Sequence, residues 1–251
     1  RVWTKGGVVT GADGFLVADP MQYLNWLRQS SQSGAAANLY DFAPSSHSFV
    51  HPGIFISGLL HRLGFGIALA YLVWKPVAVA VLVVGAFYFA ARFLPRSGDR
   101  RAAVICALFF ASPIAAVIGW SVSASSSAKF NLDFVSGELW TGTYLWGYLF
   151  TAIAVGLMPL GLLAFERAQS TPARRWQLIA AAIGLIVSWF QPWQGATYAL
   201  ILIAATGLAY RRDRTALKRA AALALPVLLS TALPLFYYLV LSKTDPAWRL
   251  A

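Results

Sequence analysis

Long apolar runs alternate with short polar connections along most of this chain. Four runs approach or exceed the roughly 20 helical residues that a bilayer core requires, and two shorter runs lie between the third and the fourth. The pattern therefore predicts about six membrane-spanning helices, over residues 67–91, 102–120, 144–165, 176–190, 196–210 and 217–241. Gln-Pro-Trp-Gln-Gly at 191–195 joins the two shorter runs, and Pro192 and Gly195 are predicted to break the helix there.

Residues 1–66 are too polar to span a membrane and too aromatic to be a plain linker. After Asp19-Pro20, apolar side chains recur at helical spacing, which predicts a short helix lying in the membrane interface. Asp19 at the N-cap followed by Pro20 is a favourable helix start. A second short helix is predicted to begin at Pro52, with His51 in an extended turn before it, and to end near Gly64.

Composition places the chain among membrane proteins. Of its 251 residues, 59% are hydrophobic and 12% are charged, against roughly 25% charged residues in a soluble domain. The predicted fold class is all-α, a polytopic transmembrane helix bundle (67–251) with an extracytoplasmic first loop (1–66). Because the chain begins with Arg1 and no signal peptide precedes it, we expect it to be a fragment of a longer protein. The single cysteine, Cys106, excludes an intrachain disulfide and a cysteine-based metal site.

Charge is concentrated in three connections, at 92–101, 166–175 and 211–219. These hold 12 of the 20 Lys and Arg residues and 3 of the 9 acids. Short cytoplasmic loops attract Lys and Arg, and all three loops alternate correctly with the predicted spans. The first loop, the 121–143 loop and the 191–195 turn are then extracytoplasmic. This arrangement accounts for the net charge of +11 without nucleic acid, and membrane lipid is the expected partner of the basic loops.

Several motifs follow one another in a distinctive order. Asp19 is followed four positions later by Tyr23, His51-Pro52 comes about 30 residues on, and Ser112-Pro113 lies in the second predicted span. This order resembles the GT-C superfamily of membrane glycosyltransferases, which use lipid-phosphate-linked sugars. The resemblance covers roughly residues 15–125. The chain departs from the pattern at Pro20, where the family frequently has a second acid, and at Gly53, where it often has a second proline.

The resemblance implies transfer of a sugar from a polyprenyl-phosphate carrier to an acceptor outside the cytoplasm, in a bacterial plasma membrane. Asp19 would be the general base that takes the acceptor's proton, with Tyr23 and His51 beside the substrate. A cation must balance the leaving phosphate, and Arg28, Lys75, Lys129, a histidine or a divalent metal ion are the candidates.

Each candidate also has a structural interpretation. Asp19 is explained by helix capping alone. Lys75 lies in an apolar run, where a charge is a functional hypothesis, although a lysine near the membrane surface also snorkels. Glu138 is the preferred second acid. Gln191 and Trp193 can bind substrate hydroxyls or stack on a sugar, or they can serve the turn and the aromatic belt.

Two other functions remain open: a transporter or lipid flippase, and a non-catalytic membrane scaffold whose first loop docks a partner. The enzyme hypothesis predicts that Asp19 and His51 line one cavity with Lys75 or Glu138. The scaffold hypothesis predicts that Asp19 and His51 are separated and face solvent.

Overall fold

The structure is a computed structural model that describes residues 18–38, 46–109, 141–171 and 173–249. Within these ranges the chain is helical and forms no β-strand, apart from an isolated antiparallel bridge between Ala36 and Phe49. The helices are α1 (Ala18–Ser33), α2 (Pro52–Arg62), α3 (Ile67–Leu72), α4 (Trp74–Phe93), α5 (Ser97–Phe109), a 3₁₀-helix (Thr141–Trp146), α6 (Leu149–Ser170), α7 (Arg174–Phe190), α8 (Pro192–Tyr210), α9 (Arg214–Thr244) and α10 (Pro246–Arg249). The predicted all-helical class is confirmed.

Three helical stretches are long and apolar enough to cross a membrane: Ile67–Phe93, Leu149–Ser170 and Arg214–Thr244. They coincide with the spans predicted at 67–91, 144–165 and 217–241. The predicted spans 176–190 and 196–210 form helices α7 and α8, which at 17 and 19 residues are shorter than those three. Of the predicted span 102–120, residues 102–109 complete α5, and the remainder lies outside the described residues.

The first of these stretches contains a single-residue break between α3 and α4 at Val73. Pro76 explains the break. A proline at this position has no N–H to donate to the carbonyl of Leu72, and its ring crowds that carbonyl. The chain continues in helical geometry through Val73 (φ −57°, ψ −24°), so α3 and α4 together form this one candidate membrane-spanning stretch.

Small residues set the distance between α4 and α6. A Cβ added at Gly85 would collide with the carbonyl oxygen of Gly156, and a Cβ added at Gly156 would lie 2.7 Å from the backbone nitrogen of Leu82. The two backbones are therefore in direct contact, as is typical of helices that associate within a bilayer.

Large apolar side chains remain exposed along the outer faces of α4, α8 and α9, including Phe87, Leu200 and Leu233. A monomeric soluble protein rarely exposes continuous apolar faces of this kind. They are the expected contact surface with lipid, and they agree with the three candidate membrane helices.

The described residues of the first loop form two helices, α1 and α2, which pack on each other and on the ends of the longer helices. α1 buries Leu24, Trp26 and Leu27 and ends before Gly34, whose positive φ of 80° reverses the chain. The helix begins at Ala18, two residues before the predicted first residue Pro20, so Asp19 lies within the first turn rather than at the N-cap.

The second helix begins as predicted. His51 is its N-cap, with an extended backbone (φ −123°, ψ 122°), and Pro52 is its first residue. Gly64, with φ 101°, follows shortly after its end at Arg62, as the sequence predicted.

The turn at 191–195 is shorter than predicted. Only Gln191 separates α7 from α8, because Pro192 already begins α8. Gly195 was expected to break the helix, but it lies inside α8, and an added Cβ would come within 2.5 Å of Ser188 Cα. This glycine therefore serves close packing of the two helices rather than the turn.

The helices alternate in direction, and the three basic connections all lie at one end of them. Arg92, at the end of α4, forms a two-pronged ion pair with Glu166, near the end of α6. The first loop, the Gln191 link and the end of α9 meet at the opposite end. We refer to these as the basic end and the aromatic end.

Candidate functional site

A cavity of about 390 Å³ opens at the aromatic end, between α1, residues 49–51, the start of α6, the Gln191 link and the end of α9. Of the thirteen described residues that line it, eight are aromatic: Tyr23, Trp26, Phe49, Phe150, Phe190, Trp193, Tyr238 and Trp248. None of the thirteen carries a carboxylate, an ammonium or a guanidinium group. A concave site with apolar walls and a few polar groups is the usual form of a small-molecule site.

The cavity brings together four of the seven residues singled out in the sequence. Tyr23, His51, Gln191 and Trp193 all line it, although they lie up to 170 positions apart in the chain.

Two further candidates, Lys75 and Glu138, are not in the described wall of this cavity. Lys75 is half-buried in the first turn of α4 and does not line it. Glu138 lies outside the described residues.

Asp19 is placed by its backbone. It lies in the first turn of α1, four residues before Tyr23. At a rise of 1.5 Å per residue, the two Cα atoms are separated by about 6 Å along the helix axis.

His51 is held by hydrogen bonds at both ring nitrogens. Nδ1 accepts from the backbone N–H of Ile54 at 3.3 Å, which leaves Nε2 as the protonated nitrogen of the neutral ring. Nε2 then donates to the carbonyl oxygen of Phe190 at 3.0 Å. The imidazole therefore joins the start of α2 to the end of α7.

The environment of His51 keeps the ring uncharged. The residue is 7% exposed, and its ring centroid lies 4.6 Å from that of Phe150 and 5.4 Å from that of Phe190. Burial lowers the pKa of His51 from 6.5 to about 4, because an imidazolium would lose its hydration there. In this arrangement His51 offers the cavity a neutral ring rather than an acid or a base.

Gln191 supplies a polar group at the cavity wall. Its Nε2 donates to the hydroxyl of Thr151 at 3.1 Å, and its backbone carbonyl accepts from the N–H groups of Gln194 and Gly195. Its Oε1 accepts no hydrogen bond from any described residue, so this oxygen is available to a ligand hydroxyl. The turn therefore needs only part of the hydrogen-bonding capacity of this side chain.

Two tryptophans differ in how they meet the cavity. Trp193 is 80% exposed and stands at the rim. Trp248 packs against Phe49, with ring centroids 4.7 Å apart, and its indole N–H is buried with no acceptor among the described residues. A buried orphan donor is costly, and a ligand oxygen in the cavity is one way to satisfy it.

The strand-like segment before α2 is fixed by α9. The Tyr237 hydroxyl donates to the carbonyl of Ser48 and accepts from the N–H of Val50, both at 2.7 Å. The indole N–H of Trp189 donates to the carbonyl of Val50 at 3.1 Å. This side of the cavity is thus held in place by hydrogen bonds as well as by apolar packing.

Asp245 is an acid at the aromatic end, and it has a structural role. The residue is 8% exposed. Its carboxylate accepts from the hydroxyls of Ser46 and Ser48 at 2.7 and 2.8 Å and from the N–H of Ala247 at 3.0 Å. The hydroxyl of Ser46, followed by that of Ser48, lowers the pKa of this carboxyl. Such a stabilised carboxylate is a weak base.

Sequence reasoning missed Phe150, Tyr238 and Trp248, which form much of the aromatic wall. Each lies at or beyond the end of a long apolar run, where an aromatic residue is explained by the membrane interface alone. The number of aromatic residues near span ends was the available signal. Nothing in one sequence shows which of them converge.

No metal centre is evident in the described ranges, which contain no group of three or more His, Cys, Asp and Glu side chains that could hold an ion. Comparison of the chain with protein-family models, with curated proteins and with solved structures finds no match. The assignment of the described residues as all-helical, with three candidate membrane-spanning helices, therefore rests on the helices themselves.

Proposed function

We propose that this protein is a membrane glycosyltransferase that moves a sugar from a polyprenyl-phosphate carrier to an acceptor outside the cytoplasm. The observation that supports the proposal most directly is the aromatic cavity at the end of the helices opposite the basic connections. If the basic end faces the cytoplasm, as Lys and Arg usually indicate, the cavity opens on the outer side.

The chemistry of the cavity suits an uncharged, hydroxylated ligand. Its aromatic walls offer flat apolar faces to a sugar ring, Gln191 Oε1 offers an acceptor, and the Trp248 N–H offers a donor. Because no described wall residue carries a formal charge, the phosphate of a donor belongs outside this part of the site. The sugar or the acceptor is the part that enters.

Asp19 is the proposed general base. It lies one helical turn before Tyr23, which lines the cavity. A carboxylate there would take the acceptor's proton as the hydroxyl attacks the anomeric carbon, while the lipid phosphate leaves with the electrons of the broken C–O bond. His51 is excluded from this role in the present arrangement, because both of its nitrogens are engaged.

The deciding experiment measures transfer from radiolabelled polyprenyl-phosphate sugars in membranes that contain the protein. Asp19→Asn is expected to abolish transfer, by roughly a hundredfold or more for the loss of a general base. Asp99→Asn is the matched control, since Asp99 lies in the first turn of α5 at the basic end. Equal transfer by the unmodified protein, Asp19→Asn and Asp99→Asn would show that Asp19 is not the general base.

The second candidate function is non-catalytic: the cavity binds a ligand and catalyses no reaction. Such a protein would be a transporter, a lipid flippase or a scaffold. The absence of an acid or a free base among the described wall residues favours it. Against the scaffold, His51 is buried rather than solvent-facing. Absence of transfer from every donor, together with saturable binding of a sugar lipid, would favour the non-catalytic function.

A further inference from the structure

A second cavity, of about 780 Å³, lies at the basic end between α4, α6 and α7. Its mouth is polar, with Arg92, Glu166, Arg167 and Ser170, and its deeper wall is apolar, with side chains such as Leu160 and Ile183. From Leu160 to Ser170 the wall extends about 15 Å along the axis of α6. The cavity thus has a charged end and an apolar end.

The positive charge at the mouth is only partly neutralised. Arg92 is paired with Glu166, with nitrogen–oxygen distances of 2.6 and 2.9 Å. Arg167 has no carboxylate partner within the described ranges, and its guanidinium lies 4.8 Å from the centre of the Trp176 ring. Arg175 does not line the cavity, but its guanidinium lies 5.4 Å from the centre of the same ring. Two guanidinium groups with no carboxylate partner among the described residues therefore lie beside one indole of the cavity wall.

We propose that this cavity binds one anionic phospholipid. The phosphate accepts hydrogen bonds from Arg167 and Arg175 beside Trp176, and an acyl chain lies along the apolar wall toward Leu160 and Ile183. This inference does not depend on the proposed glycosyltransferase activity. It assigns a lipid site to the end of the molecule away from the aromatic cavity.

Charge and shape together select this occupant. A free phosphate would bind the arginines but would leave the apolar wall without a ligand. A zwitterionic lipid would bring the cation of its own head group close to the guanidinium groups. A lipid with a net negative head group and apolar chains matches both parts. Basic pockets between membrane helices are known to hold such head groups, and guanidinium groups suit phosphate oxygens because they donate in a planar fork.

The first test measures lipid retention by the purified full chain in mixed micelles with native mass spectrometry. The probes are phosphatidylglycerol and phosphatidylcholine with identical acyl chains. We expect the unmodified protein to retain one phosphatidylglycerol at concentrations where phosphatidylcholine is lost. The double substitution Arg167→Gln and Arg175→Gln should weaken retention by about tenfold or more, since each cation near an anionic lipid accounts for roughly a fivefold change.

The matched control is Arg211→Gln with Arg212→Gln, which removes the same charge from the exposed connection between α8 and α9. Its retention of phosphatidylglycerol should change by less than about twofold. Equal losses in both double variants would show unspecific attraction to the basic end and overturn the proposal. Equal retention of the two lipids by the unmodified protein would do the same.

A second measurement does not depend on the arginine variants folding. The difference in tryptophan fluorescence between the unmodified protein and Trp176→Phe isolates Trp176. Phosphatidylglycerol with brominated chains, added as a minor component, should quench this difference signal, and brominated phosphatidylcholine at the same fraction should quench it less. Equal quenching by both lipids would show that no site beside Trp176 prefers the anionic lipid, and it would overturn the proposal.

Discussion

The two ends of the helix bundle use polar groups in opposite ways. At the aromatic end, His51 and Asp245 are buried, and backbone groups or hydroxyls satisfy them. At the basic end, Arg92 and Glu166 pair in the open. Arg167 and Arg175 lie beside the indole of Trp176 and have no carboxylate partner among the described residues. The aromatic end therefore depends on desolvation and packing, whereas the basic end depends on charge that salt can screen.

The comparison predicts that packing at the aromatic end dominates stability. Phe150 is 3% exposed and its ring contacts those of His51, Tyr71 and Phe190, among others. Phe150→Ala should lower the free energy of unfolding by about 3–5 kcal/mol, measured by denaturant titration in detergent. Phe93→Ala is the matched change at the basic end, where Phe93 is 63% exposed, and it should cost much less. Comparable losses would refute the contrast.

The next largest effect is a pH dependence that belongs to the aromatic end. The pKa of His51 is about 4 in the folded protein and near 6.5 unfolded. Below pH 6.5 the unfolded state therefore takes up a proton that the folded state does not, so stability falls as the pH falls toward 4. The loss between pH 7 and pH 4 should reach about 3 kcal/mol.

Substitution separates this titration from that of other groups. His51→Gln should remove most of the slope of unfolding free energy between pH 4 and 6.5, whatever its own cost. His47→Gln is the control, because His47 is exposed. If the slope persists unchanged in His51→Gln, another group is responsible.

The smallest effect is expected from the ion pair at the basic end. Arg92 and Glu166 are about half exposed, and exposed pairs add little to stability because water and salt screen them. In a double-mutant cycle with Arg92→Gln and Glu166→Gln, the coupling should be small and should vanish in concentrated salt. A large coupling that salt does not reduce would mean that this end is desolvated like the other.

The sequence predicted most of the helices because their signals are local. His51-Pro52 indicated the start of α2, and apolar length indicated the three candidate membrane helices. Pro192 was expected to break the helix before a span at 196–210, whereas it begins α8. Gly195 was misjudged because a glycine in a sequence signals a break and close packing alike. Only the position of Ser188 against it distinguishes the two.

The candidate site was predicted in part, for a related reason. Tyr23, His51, Gln191 and Trp193 were chosen one by one, and the structure places them around one cavity. Phe150, Tyr238 and Trp248 were not chosen, because their role depends on contacts between distant parts of the chain. The neutral state of the His51 ring, with a hydrogen bond at each nitrogen, likewise depends on the carbonyl of Phe190, 139 positions away.

The hydrogen bonds between the first loop and residues 245–247 have a consequence for biosynthesis. Ser46 binds Asp245 across 199 positions, and Asn38 binds the carbonyl of Ala247 across 209. At 5–20 residues per second, a ribosome needs roughly 10–40 s to make the intervening chain. The first loop is thus synthesised well before its partners, and the nascent chain must wait with the cavity unfinished until Trp248 emerges.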